Sequence, residues 1–377
     1  MSPRIGFISA GNLSLSWAAY AASQGFHTII SGLPGHPGAL PALRARNNTI
    51  TCSGDLTGEY ATDTGEVGDV VGSTDTVVVT APAHSHAALA RLLANHDLRG
   101  KVFYAVPLNN FMMEMVRAFG GRTEMLPEVR GVNSSPWICF STGANTRLNG
   151  TKAVVYVGSC RGPLSAAHQA QARDLFPANV RFVPNLLHVW LCNHNPEFHI
   201  WTVLRNTRSI SQGKGHLQFY RHLAPKATSD SRALDAERVE LGRLLGVNLL
   251  PLLALTNELY GVHYGSLEEL VENLPAYGGV KAPATLNHRF LLEDADVVVT
   301  RYSVAKKLGS TKTAKMEETI RTVGMILGKD LFKEGPTLEN LGFGHLDAAG
   351  VVDLLKTGGP KLSPGFAAGK MEWGARL

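Results

Sequence analysis

The sequence predicts a doubly wound, mostly parallel α/β domain followed by an all-helical one. Three observations carry that expectation. The first stretch of about thirty residues reads strand, turn, helix, strand, the size of one βαβ unit. Strands and helices go on alternating as far as Val106, and from Leu186 onward apolar residues recur with the helical period instead. The expected divisions are a Rossmann-like α/β domain over residues 1–185, a helical domain over 186–357 and a loose Gly/Pro-rich tail over 358–377.

Element by element, Arg4 to Ser9 is a short apolar strand, and Ala10 to Leu13 is a turn of small residues. Ser14 to Gln24 is a helix with Leu15, Ala18, Ala19 and Ala22 on one face, stopped by Gly25. Phe26 to Ser31 closes the unit as a second strand. Thr76 to Thr80 is a buried strand ending at Ala81-Pro82, Ala87 to Leu93 a helix, and Lys101 to Val106 a strand ending at Pro107. The runs Trp137–Ser141, Ala153–Val157 and Val180–Val183 are expected to extend the same sheet. Ala233–Leu245, Leu267–Leu274 and Ala314–Leu327 have the helical period.

Composition narrows the function classes. The chain has 377 residues, 44% of them hydrophobic and 18% charged, with a net charge of +5. That is a globular composition long enough for roughly two to three domains. No block of like charges suggests a nucleic-acid arm, and the oily stretch Leu244–Leu255, broken by Asn248 and Pro251, is too short to span a bilayer. The N-terminal stretch is interrupted by Ser9, Asn12, Ser14 and Ser16, unlike a signal peptide. Cys52, Cys139, Cys160 and Cys192 form no CxxC pair, so neither a zinc site nor a disulfide framework is expected, and a cytoplasmic setting fits. Homodimerisation is left open.

In a dinucleotide-binding turn, glycines allow a tight bend and close approach of backbone to pyrophosphate at a helix N-terminus. Here the turn reads Ser9-Ala10-Gly11-Asn12-Leu13-Ser14, keeping the central glycine with serines in place of the outer two. Ser9, Gly11, Asn12, Leu13 and, at the end of the third expected strand, Pro82 form the candidate cofactor edge. A ribose 2′-hydroxyl usually meets Asp or Glu about twenty residues on. This chain has Ser31 there and no acid before Asp55, whereas Arg4, His36, Arg44 and Arg46 are basic or titratable. NADP(H) is therefore favoured over NAD(H), with Ser31 and Arg44 as candidate ribose-phosphate contacts.

Of fourteen histidines, His84 and His86 read as loop residues without a companion carboxylate, and no metal is expected. A second cluster, Cys192 to His199, concentrates amides and imidazoles where the two domains meet, and interdomain clefts favour ligand sites. Farther on, KAPATLNHRFLLED (Lys281 to Asp294) places His288, Arg289, Glu293 and Asp294 close together. This stretch resembles the KAP…hRYl-ED signature of the octopine/nopaline (opine) dehydrogenase family. Asn193 to His199 is similar to that family's N-x-N-x-x-x-H signature, Leu234 to Arg238 to a further segment, and Glu128 with Ser134 to Trp137 to a weaker one. The resemblance runs in the family's order over most of the chain.

It implies NAD(P)H-dependent condensation of an amino acid or amine with an α-keto acid, at a cleft between the two domains. It puts the catalytic histidine on His199, its aspartate partner on Asp294 and the carboxylate-binding arginine on Arg289. These residue types suit the chemistry, since an imidazole can deliver and accept protons, a carboxylate can orient it, and a guanidinium grips a carboxylate with two prongs. Asn195 is a candidate hydrogen-bonding partner of substrate or nicotinamide, with helix capping as its alternative, and His194 is the competing imidazole. The chain departs from the family at the outer glycines, at Ile200, which follows the histidine where a proline is common, and at Pro107-Leu108-Asn109, which replaces a proline-glycine pair. Two other readings use the same cleft: a 2-hydroxy-acid or ketone dehydrogenase, and a catalytically silent dinucleotide-binding protein.

Overall fold

The computed structural model describes residues 3–120, 122–213 and 216–359, so the expected tail, beyond Gly359, lies outside the described residues. Its strands in chain order are β1 (Arg4–Ile8), β2 (His27–Ser31), β3 (Thr49–Gly54), β4 (Gly58–Ala61), β5 (Asp63–Gly65) and β6 (Thr76–Val79). They continue as β7 (Val102–Ala105), β8 (Glu128–Val132), β9 (Ile138–Thr142), β10 (Asn145–Asn149), β11 (Val154–Ser159) and β12 (Asn179–Phe182). The main sheet runs β12-β11-β8-β7-β6-β1-β2-β5. Every neighbouring pair is parallel except β11 on β8. The chain builds outward from β1 through β2 to β5, then returns to β6 on the other side of β1. The crevice between β1 and β6 is therefore the topological switch point where ligands bind in such sheets.

Of the three runs expected to extend this sheet, those around Val154 and Val180 do so as β11 and β12. The run around Trp137 does not: β9 joins a separate sheet ordered β4-β3-β10-β9. The sheet is mixed, β3 pairing parallel with β10 and the outer pairs antiparallel, and β10 alternates exposed and buried along its length, a pattern suited to a layer with one wet side. The buried face packs on helix α1 (Asn12–Ser23), where Ile50, Ala144 and Leu148 share a core with Trp17 and Ala18, and Ser16 Oγ meets Thr146 Oγ1 at 2.7 Å. The small sheet thus roofs the helix that begins at the switch point. His86 also departs from the loop expected for it. It is the first residue of the His86–Leu93 helix, buried, with Nε2 2.9 Å from the Ala81 carbonyl.

Beyond Phe182 the described chain is helical. Its first helix, Leu186–Leu191, lies directly on the main sheet over paired Gly131 and Gly158 of β8 and β11. A Cβ on Gly158 would stand 2.4 Å from the Asn185 carbonyl oxygen, and one on Gly131 would crowd Leu108 at 2.8 Å and Val189 at 3.1 Å. These bare strand positions form the seat of the helical layer. One buried cluster accordingly runs from Val77 and Phe103 in the sheet through Leu187 and Trp190 to Val304 and Leu355.

Two helices cross at the centre of the helical layer, α2 (Asn195–Arg205) and α3 (Arg289–Lys307). Arg301 of α3 is fully buried and donates to Glu197 Oε1 of α2 at 2.7 Å and to the carbonyls of Trp190 and Asn193 at 3.0 and 2.7 Å. Removing one partner of such a pair leaves an uncompensated buried charge. Arg301→Ala is accordingly expected to lower unfolding free energy by about 3–5 kcal/mol, read from the midpoint of a urea titration.

Candidate active site

At the switch point Ser9 leaves β1 with φ 98°, the left-handed region that glycine favours, and donates its backbone N–H to the Ser31 carbonyl at 3.0 Å. The serine thus holds the conformation that the first glycine of a dinucleotide turn supplies. Gly11 precedes α1, and a Cβ placed there would meet only Ser9 Oγ at 3.6 Å, so protein packing does not require the glycine. The α1 N-terminus carries no side-chain cap and no acid in its first turn. Open space over Gly11 and free N–H groups at a helix start fit a pyrophosphate. Across the crevice Ser14 Oγ and Thr80 Oγ1 lie 2.6 Å apart, tying the helix to the end of β6.

The other members of the expected cofactor edge take different places. Asn12 accepts the Ser141 N–H at 3.1 Å, fastening the turn to the small sheet, and Leu13 is half-buried against the same core. Pro82 opens the short turn after β6. Arg44 is exposed, its Nε 3.4 Å from Thr64 Oγ1. Ser31 is the exception: it is fully buried and its Oγ has no hydrogen-bond partner. Arg4 pairs with Asp63, and Arg46 bonds Asn145, Thr51 and Glu59, so of the four Arg44 and His36 are the exposed side chains not paired with an acid.

In the helical layer the structure brings His199 and Asp294 together. Nδ1 of His199 on α2 lies 2.7 Å from Oδ2 of Asp294 on α3, both side chains being under a tenth exposed. The imidazole stacks on Phe290, centroids 4.1 Å apart, and its other nitrogen, Nε2, is 2.9 Å from the Tyr220 hydroxyl. Burial lowers the histidine to about 3 and raises the aspartate to about 8, each toward its uncharged form, while the nearby Arg289 charge lowers both. As a unit the pair is neutral at pH 7 and gives up a proton as pH rises through about 8.

Arg289 begins α3, is exposed, and lies with its guanidinium carbon 5.7 Å from the Phe290 ring. Its charge also acts on Cys139 of β9, opposing the rise that burial gives that thiol. Asn195 begins α2 rather than capping it: its backbone N–H donates to Asn193 Oδ1 at 3.2 Å, and its own amide has no hydrogen bond among the described residues. His194 is buried with its ring edge on Phe198 and lies away from any carboxylate partner.

What links the helical pair to the crevice is Glu293, beside Asp294. Its Oε1 accepts from Asn109 Nδ2 at 2.9 Å, and Asn109 Oδ1 in turn accepts from Asn193 Nδ2 at 2.7 Å. Burial raises the Glu293 carboxyl, with Asp294 adding to the rise and Arg289 and the Ala83 backbone opposing it. Ala83 and Asn109 follow β6 and β7, so the segment bearing Asp294 abuts the loops at the open ends of the parallel strands. Asn109, in the Pro107-Leu108-Asn109 segment that replaces a proline-glycine pair, has φ 41°, again a left-handed conformation. Sequence reasoning missed Tyr220, Asn109 and Lys152, a buried lysine 2.7 Å from Ser134 Oγ whose ammonium burial lowers to about 7. No local pattern marks Tyr220 or Lys152, which tertiary packing brings in, whereas Asn109 shows in the sequence only as part of the segment that replaces a proline-glycine pair.

A dinucleotide crevice faced by a buried histidine–carboxylate pair at a two-layer junction defines an NAD(P)-dependent oxidoreductase. The model of the NAD/NADP octopine/nopaline dehydrogenase alpha-helical domain matches residues 182–327. Opine dehydrogenase of Arthrobacter sp. (strain 1C) is 24% identical over 358 residues, spanning 91% of this chain and 96% of that relative. Octopine dehydrogenase solved with NADH and L-arginine superposes with a TM-score of 0.72 at 16% identity, covering 95% of this chain and 99% of that one. Yersinopine dehydrogenase bound to NADP+ does so with 0.66 at 14% identity, covering 95% and 98%. The chain is thus similar to opine dehydrogenases over most of its length, with the octopine/nopaline dehydrogenase helical domain matched over residues 182–327.

Because the proton-loaded form of the pair is the acid, turnover in the reductive direction is expected to fall as pH rises through about 8. Asp294→Asn removes the titrating carboxyl and should abolish that limb of the kcat profile. His199→Ala should cost ~10²–10⁴-fold in kcat, the usual worth of general acid–base catalysis, as read by steady-state kinetics.

Proposed function

We propose that the protein is an opine-type dehydrogenase that condenses an amino acid or amine with an α-keto acid through an imine and prefers NADPH to NADH. The observation that carries this reading is the buried His199–Asp294 pair at 2.7 Å. A protein that only bound a dinucleotide would gain nothing from desolvating two ionisable groups against each other. Residues 1–185 are the dinucleotide-binding half and 186–357 the half that supplies substrate contacts and the proton.

In this reading the backbone N–H groups of Gly11, Asn12 and Leu13 hold the pyrophosphate, with Ser9 setting the turn and Pro82 bounding the opposite side. When bound, the reduced cofactor supplies the hydride that converts the imine to a secondary amine. Arg289, exposed beside the pair, grips a substrate carboxylate, and the unpaired amide of Asn195 hydrogen-bonds substrate or nicotinamide. The His199–Asp294 unit furnishes the proton consumed when the carbinolamine loses water. A reducing cytoplasm is the proposed compartment: Cys52, Cys139, Cys160 and Cys192 are all unpaired, and no helix among the described residues is long and apolar enough to cross a membrane.

A matrix of amino acids against α-keto acids, followed by NADPH and NADH consumption and by mass spectrometry, tests the reaction. The expected product is N-linked and forms only with amine present. A hydroxy acid formed at a rate indifferent to amine would make the enzyme a plain 2-hydroxy-acid dehydrogenase.

The cofactor preference rests on the acid-free approach to Asp55 and on Arg44, which remains exposed while Arg4 and Arg46 are tied to acids. Arg44→Ala is expected to raise KM for NADPH while leaving KM for NADH nearly unchanged. Equal effects on both would remove Arg44 from the phosphate contact.

A further inference from the structure

We propose that the Tyr220 hydroxyl, rather than a ring nitrogen of His199, is the atom that hands the proton to the substrate, as the outer member of an Asp294–His199–Tyr220 chain. Both imidazole nitrogens are already engaged, Nδ1 by Asp294 at 2.7 Å and Nε2 by Tyr220 at 2.9 Å. A substrate oxygen approaching this site therefore finds no free ring nitrogen. The phenol oxygen has no other hydrogen bond among the described residues, so one proton or lone pair remains for a ligand.

The placement of Tyr220 is built in. The Lys281 stretch that leads into α3 pairs with the chain around Gln218, with Phe219 N–H on the Val280 carbonyl at 2.7 Å and Ala282 N–H on that of Leu217 at 2.8 Å. The segment that delivers Asp294 thereby also delivers Tyr220, on a single π-helical turn, Phe219–Leu223, a geometry frequent at functional sites. The ring is stacked on Tyr277 with centroids 3.7 Å apart, which fixes its plane. Burial holds the phenol protonated, with Tyr260 and Asp294 acting in the same direction and Arg289 against.

The step balances without a further reactant. The Tyr220 O–H proton passes to the hydroxyl oxygen of the carbinolamine, the C–O bond breaks, the nitrogen lone pair forms the C=N bond, and water leaves. The Tyr220 oxygen takes the Nε2 proton, and Nδ1 takes the proton held with Asp294, which remains as carboxylate. The single proton consumed is the one that the overall reductive condensation requires.

The groups that set the titration of this chain come from every element around it. They are Arg289, Glu293 and His288 at the start of α3 and Arg301 farther along it, Lys152 from the strand domain, His194 before α2, and Tyr260 and Tyr277 beside the ring. Tyr220→Phe keeps the ring and its stack and removes only the oxygen. It is expected to lower kcat by ~10²–10⁴-fold with both substrate KM values, NADPH affinity and melting temperature held. Replacing Tyr220 by fluorotyrosine, which changes acidity but hardly shape, is expected to change kcat and its pH profile, a response that a purely structural ring would not give.

Wild-type turnover by Tyr220→Phe, or a fluorotyrosine enzyme with an unaltered profile, would overturn the proposal and make the hydroxyl a removable cover on His199. The proposal rests on the imine reaction put forward above. A wild-type enzyme indifferent to amine overturns that reaction, whereas an amine-dependent enzyme with full Tyr220→Phe activity overturns the proton chain alone.

Discussion

The Arg301–Glu197 pair is the constraint on which the site depends. It bonds α3 to α2 close to the candidate catalytic pair, Glu197 lying two positions before His199 and Arg301 seven after Asp294. Arg301 also satisfies the carbonyls of Trp190 and Asn193, the chain that leads into α2. A charge taken fully out of water holds its geometry tightly because every alternative leaves it unpaired. The 2.7 Å contact between His199 and Asp294 is then a consequence of helix register, and a looser crossing would separate them.

A second constraint is backbone strain at the open ends of the parallel strands. Ser9 after β1 and Asn109 after β7 both occupy positive φ, 98° and 41°, where a side chain costs about 1–3 kcal/mol unless the surroundings impose it. At Asn109 the side chain offsets that cost by bridging Glu293 and Asn193, a bridge glycine could not make. At Ser9 the turn is held by its N–H on the Ser31 carbonyl. What looks in the sequence like erosion of a glycine pattern is, in the fold, the same backbone path reached with different residues.

Much of the fold was legible because strands such as Arg4–Ile8 and Val102–Ala105 are short apolar runs ended by turn residues, and because α1 and Ala314–Leu327 keep a helical period. The small sheet was not, since the pairing that joins its two local hairpins, β3 with β10, sets Thr51 against Asn145 far along the chain. His199, Asp294 and Arg289 could be located through the family resemblance, whereas Tyr220 and Lys152 sit in segments without periodicity or motif. Ser31 shows what counting along a strand cannot give: position suggests a ribose contact, and only the fold shows the side chain to be buried with its hydroxyl unpaired.

The glycine pair under the Leu186–Leu191 helix bears on modularity. Because Gly131 and Gly158 let that helix lie flush on β8 and β11, apolar residues from both halves fill one continuous interior. A chain ended near residue 185 would leave the sheet face around Val129 and Tyr156 open to water, and the remaining helices would lose the surface they fold against. The two halves are thus not interchangeable cassettes. Exchange of substrate specificity between relatives would have to proceed by altering the cleft walls within one polypeptide rather than by transplanting the helical half whole.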